Sequence, residues 1–149
     1  MKSIGLFGVV LIGLALTFSI GGGRVRAQED DQLRTPPRDS AERKAILDAV
    51  HAEYKEGADQ PAKFTVNYLK VHHDWAWINV TPLDANGKQV ADPAPLLFHK
   101  EDDKWVSKEL FGIGDANDQV GPFEPSPSYI AALQKKYPGL PADIIPRKH

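Results

Sequence analysis

Two runs rich in β-branched and aromatic residues, "KFTVNYLKV" (63–71) and "WAWINVTPL" (75–83), are separated only by His72, His73 and Asp74. So short a link between two strand-forming runs forces an antiparallel hairpin, and that hairpin dictates what the rest of the chain must do. With a two- or four-residue loop, Val71 stands opposite Ala76, Leu69 opposite Ile78 and Asn67 opposite Val80. One face then carries Leu69, Val71, Ala76, Ile78 and Val80. The other carries Phe64, Val66, Tyr68, Lys70, Trp75, Trp77 and Asn79. Because side chains alternate with a period of two, a three-residue loop would move one strand's set to the opposite face.

Both faces are apolar enough to need cover. "DSAERKAILDAVHAEYKEG" (39–57) supplies it for one: Ile46, Leu47, Val50 and Tyr54 form a single stripe at helical spacing, with Glu42, Lys44, Asp48, Lys55 and Glu56 left for water. Asp39 or Ser40 can cap the first turn, Glu42 stands in capping-box spacing from Asp39, and Gly57 supplies a stop. Downstream, the Asn86-Gly87 pair in "LDANGKQV" predicts a small hairpin, and "ADPAP" interrupts pairing. "LLFHKEDDKWVSKELF" predicts two further strands, Leu96–Lys100 and Lys104–Phe111, around a turn at Asp102 and Asp103. Four strands in sequence order make a meander. Gly112 to Pro125 reads as a long acidic loop, Ser126 and Pro127 as the start of a short helix with Tyr129 or Ile130, Leu133 and Tyr137 on its apolar side, and "GLPADIIP" as an extended segment tying the terminus across the sheet. The expected fold class is α+β: one long N-terminal helix on a four-stranded antiparallel meander, with a short C-terminal helix and extended tail.

The N-terminus bears on location. Lys2 precedes an uncharged run from Ser3 to Gly23, apolar over Ile4–Ile20, and Val25 and Ala27 match the small-residue pattern of a signal-peptidase site. The expected organisation is a signal peptide over 1–27, a flexible leader over 28–39 and a single domain over 40–149, in a secreted or periplasmic protein with no stable membrane anchor after cleavage. The alternative is an uncleaved anchor, since seventeen residues lie at the lower limit for a bilayer span. Loss of Lys2, Arg24 and Arg26 takes 18 basic side chains to 15 against 20 acidic ones, a formal charge of −5, which disfavours nucleic acid and anionic membranes as partners. No cysteine is present, so disulfides and thiolate metal sites are excluded.

No motif of known chemistry stands out. His72 and His73 are adjacent, so on a regular strand they point to opposite faces and share an ion only if the turn twists them together; His51, His99 and His149 lie elsewhere. The expectation is no metal and no cofactor. Asp74 reads as a turn residue, or as the orienting partner of a histidine base, with His72, Asp74 and His99 as candidate catalytic residues. There is no G-x-S-x-G or H-E-x-x-H motif to supply a nucleophile or a zinc-bound water. Tyr68, Lys70, Trp75 and Trp77 are the candidate ligand-binding residues if the aromatic face is open, and core if it is covered. "DANDQVG" (115–121) has Asp115, Asn117 and Gln119 at alternate positions but Val120 in place of the glycine a calcium loop needs, and it lacks one residue of the cystatin signature Q-x-V-x-G.

The helix followed by "FTVNYLKV", "DWAWINV" and "LLFHKEDDKWV" resembles small exported bacterial proteins without an assigned role. Its plan is similar to the cystatin-like and nuclear-transport-factor-2-like superfold. That resemblance, over Ser40 to Phe111, implies a bent sheet that can wrap a pocket used by isomerases, dehydratases or binding proteins. The pocketed members carry several helices ahead of the strands, and no catalytic residue of theirs can be placed on this chain. The expectation is therefore a secreted, non-catalytic binding or interaction module for a small molecule or an envelope protein. Its rivals are a small pocket enzyme of isomerase or hydrolase type with a His/Asp pair, and an interaction domain acting through the acidic loop.

Overall fold

A computed structural model describes residues 31–55, 61, 63–114 and 121–147. The proposed signal segment, Gly57, and Asp115, Asn117, Gln119 and Val120 lie outside the described residues. Among the described residues the fold is α+β: a four-stranded antiparallel sheet and two helices.

The first helix, α1 (Ala41–Glu53), begins where Ser40 Oγ accepts the Arg43 backbone N–H at 3.1 Å, which satisfies one of the amides the first turn cannot pair internally. Ser40, rather than Asp39, is the cap. Glu42 is not its capping-box partner either, because Arg34 holds that carboxylate at 2.6 Å. At 13 residues α1 is shorter than the expected span, and residues 31–40 precede it. Ile46 and Val50 are wholly buried, with Leu47 and Tyr54 at the margin of the same cluster.

Strands β1 (Lys63–His72), β2 (Trp75–Leu83), β3 (Ala94–Glu101) and β4 (Lys104–Lys108) pair in sequence order. The loop between β1 and β2 has two residues, and Val71 faces Ala76 and Leu69 faces Ile78 as expected. Beyond that the register slips: Val80 pairs with Val66 instead of Asn67. A bulge at Asn67 causes this, since one extra residue inverts the inside–outside parity of everything before it. Phe64 and Val66 consequently join the α1 side with Leu69 and Val71, correcting their expected placement with the tryptophans. The bulged Asn67 amide donates to Asn79 Oδ1 and Thr81 Oγ1, both at 2.8 Å.

Asp102 and Asp103, both at positive φ, make the β3–β4 turn, and β4 ends at Lys108, three residues before the expected limit. The Asn-Gly hairpin reduces to a bridge between Leu83 and Gln89, with Asp84 Oδ1 accepting the Asn86 and Lys88 amides. Within the segment expected as a flexible leader, Arg34 pairs with β1, exchanging two backbone hydrogen bonds of 2.8 Å with Val71, and Pro36 is buried.

The second helix, α2 (Pro127–Lys136), is capped by Ser126 Oγ on the Tyr129 amide and ends at Tyr137, ahead of Pro138. Tyr129 and Leu133 face inward, and the Tyr129 hydroxyl donates to the Leu110 carbonyl. After α2, Leu140, Ile144 and Ile145 lie against the sheet around a short 3-10 turn (Ala142–Ile144). The sheet is thus covered on both faces. One cluster joins α1 to Leu69, Val71, Ala76, Ile78 and Val80, with Phe98 from β3 and Trp105 from β4. The other joins α2 and the tail to Trp75, Trp77 and Leu97.

Candidate functional site

Tail packing decides the state of the aromatic face. Trp77, between Lys70 on β1 and Leu97 on β3, is wholly buried, and Trp75 is 6% exposed. Tyr68 is half-buried and its hydroxyl donates to the Ile144 carbonyl at 2.9 Å, which pins the tail over the sheet. Burial raises the Tyr68 pKa, and the nearby Asp143 carboxylate adds to the effect by opposing a phenolate. Lys70 is partly exposed at the edge of this layer. Of the four residues expected to bind a ligand, the two tryptophans therefore stand inside the sheet–tail core. The Trp77 indole N–H meets no acceptor among the described residues.

His72 and His99 are partnered by carboxylates, though not by Asp74. His72 Nδ1 lies 2.9 and 3.0 Å from the two oxygens of Asp143, in the 3-10 turn of the tail. His99 Nδ1 lies 3.1 Å from Glu101 Oε1, and the His99 ring packs on Trp75 at 4.2 Å between centroids. Asp74 is exposed at the turn, where its backbone carbonyl accepts the Lys100 amide at 2.7 Å. Glu101 also accepts Lys108 Nζ at 2.6 Å, and that bond, with a smaller contribution from His99, lowers the Glu101 pKa. Neither His72 nor His99 lines the clefts along α2, so the His–carboxylate pairs do not sit within a substrate-sized cavity there.

His73 adopts φ 50°, a left-handed conformation uncommon for a residue with a Cβ. That twist turns its ring onto His72, with centroids 4.4 Å apart and planes 17° from parallel. Asp31, on the stretch leading to the Arg34–Val71 bridge, places Oδ1 3.7 Å from His73 Nε2. One ligand-type atom from each of Asp31, His72 and His73 lies within 4.8 Å of the others.

A cleft of about 590 Å³ opens on the tail side, between the start of α2 and the end of the chain. Pro125, Ile130, Ala131 and Ala142 give it apolar walls, and Glu124 and Arg147 place charges on it. Nothing in the sequence pointed to it: cap and stripe locate α2 but not the gap between α2 and the returning tail. A shallower, more open depression involves Gly112, Ile113 and the Lys135–Lys136 end of α2. Phe111 and Phe123 are both more than half exposed, with ring centroids 6.0 Å apart; Phe111 directly precedes the acidic loop and Phe123 lies near its end. Among the described residues no helix is long and apolar enough to cross a membrane. No family model, curated protein or solved structure matches the chain.

Proposed function

We propose that this chain is an exported, non-catalytic binding module that takes a small, largely apolar molecule with one polar end into the cleft beside α2. The carrying observation is the cleft itself. Its volume, about 590 Å³, falls within the roughly 300–1,000 Å³ of ordinary small-molecule sites, and its walls are mostly apolar with few charged groups. The Arg147 guanidinium is the polar handle, suited to an anionic or hydrogen-bond-accepting end of the ligand. The signal-like N-terminus supports export. Kinship with the cystatin-like and nuclear-transport-factor-2-like superfold, whose members include plain binding proteins, is part of this proposal and rests on the resemblance of the sequence. Enzyme action is disfavoured because the two His–carboxylate pairs stand outside the cleft.

The probe is anilinonaphthalene sulfonate, two aromatic units and one anion, followed by its fluorescence. Saturable one-to-one binding is expected. Ala131→Trp, which fills the cleft from an exposed helical position, should abolish it while the far-ultraviolet circular dichroism and thermal midpoint hold. Binding that survives Ala131→Trp would overturn the assignment. The exposed Phe111–Phe123 pair favours a second reading, in which the acidic loop, Gly112 to Pro125, contacts an envelope protein. Under that reading a Phe111→Ser/Phe123→Ser double variant loses crosslinking to the partner and keeps the probe.

A further inference from the structure

We infer that the β1–β2 tip is a divalent transition-metal site, with an imidazole nitrogen from each of His72 and His73 and the Asp31 carboxylate as ligands, and Asp143 as the group that orients His72. Three features converge on it. The left-handed φ of His73 overrides strand alternation, which would have sent neighbouring rings to opposite faces, and stacks the two imidazoles instead. The Arg34–Val71 bridge carries the chain just after Asp31 along β1, delivering a carboxylate to the same spot. Asp143 accepts from His72 Nδ1 at 2.9 Å, so Nε2 is the nitrogen left to ligate an ion. A carboxylate on the far nitrogen is the arrangement that fixes the tautomer and raises the basicity of metal-bound histidines.

The donor atoms now lie within 4.8 Å of one another. A tetrahedral ion with bonds of about 2.0–2.1 Å requires about 3.3 Å between ligands and must lie in the plane of each imidazole, so closure asks for the stacked rings to rotate out of parallel as well as for donor-atom shifts of roughly 1 Å. Side chains that are 50% exposed at His73 and 76% at Asp31 have room for those rotations. Two imidazoles and one carboxylate, without thiolate, suit Zn(II), Cu(II) or Ni(II) over calcium or magnesium, with a remaining position for water. The ligands and their support come from three separate parts of the chain, the approach to α1, the hairpin tip and the tail. Metal binding would therefore clasp the ends of the fold onto the sheet.

The test is calorimetric titration of ZnCl2 into the untagged chain, expressed from its own start and purified as the cell processes it. One equivalent should bind saturably and raise the thermal midpoint. His73→Asn tolerates the left-handed turn but removes the imidazole, and should eliminate that equivalent; Asp31→Asn should weaken it at least about tenfold, and Asp143→Asn about 10- to 100-fold with unchanged stoichiometry. His99→Asn, away from the cluster, should bind as the parent does. Imidazole ¹⁵N spectra should show the perturbation at His72 Nε2 while Nδ1 stays protonated. Absence of a saturable equivalent, parental binding by His73→Asn and Asp31→Asn, or an equal loss in His99→Asn would each overturn the site.

Discussion

Replacing Trp77 by phenylalanine sets two opposing effects against each other at the centre of the sheet. The indole is wholly buried, and its N–H has no acceptor among the described residues. Trimming indole to phenyl removes roughly 40 Å² of buried apolar surface, about 1 kcal/mol at 25 cal/mol per Å². The roughly 40 Å³ vacated adds about 1 kcal/mol if the neighbours do not close in. Against this, an unpaired buried donor costs about 1–3 kcal/mol, and phenylalanine relieves that penalty in full. The two sides nearly cancel, so Trp77→Phe should change stability by less than about 1 kcal/mol. Trp77→Ala, which relieves the same penalty but leaves a large void, should cost about 3–5 kcal/mol. Urea titrations followed by far-ultraviolet circular dichroism measure both, and the dependence on urea should stay constant across the series. If Trp77→Phe costs as much as Trp77→Ala, the indole N–H has a partner in solution and no unpaired donor is there to relieve.

Ile46→Ala, in the wholly buried stripe of α1, should destabilise by about 2–5 kcal/mol in the same titration, whereas Ala45→Ser on the exposed side should cost under about 0.7 kcal/mol. Tyr68→Phe removes the bond to the Ile144 carbonyl and should cost about 1 kcal/mol, with faster amide exchange over residues 142–145 as the local readout. Since folding raises the Tyr68 pKa, its contribution is complete below the ordinary tyrosine value of 10.0 and is lost as pH climbs through the folded value; Tyr68→Phe should flatten the alkaline limb of the stability profile. Glu101 and Glu109 have pKa values lowered chiefly by their bonds from Lys108 and Lys136. Their contribution is present above the ordinary value of 4.5 and vanishes as pH falls through the lowered folded values, so Glu101→Gln/Glu109→Gln should show a shallower acid limb.

Much of the scaffold was legible because local chemistry dictates it. Ser40 and Ser126 announce helix starts through side-chain oxygens aimed at orphan amides, Asp102-Asp103 marks a tight turn, and the Ile46–Val50 stripe demands a surface to lie on. The bulge was not legible. Asn67 leaves the ladder through bonds to Asn79 and Thr81, partners fixed only once the register exists, and one extra residue then reassigns Phe64 and Val66. The pairing of Arg34 with Val71 is backbone to backbone and leaves no periodicity in the side chains. The hairpin tip was read as far as its types of residue allow. Two neighbouring histidines reveal nothing of a left-handed φ between them, and the carboxylates that meet them come from positions 31 and 143, far away in sequence. The cleft is likewise a product of how the tail returns past α2, which no local pattern encodes.

Shielding of Trp77 tests most directly whether the tail closes the aromatic side of the sheet. In a Trp75→Phe/Trp105→Phe variant that keeps its fold, Trp77 is the sole indole, and iodide should quench it no more than background, with an emission maximum far to the blue of free tryptophan. Quenching near that of the free amino acid, in a chain still folded by circular dichroism, would mean that the aromatic face is open to solvent and that the two-sided packing described here is wrong.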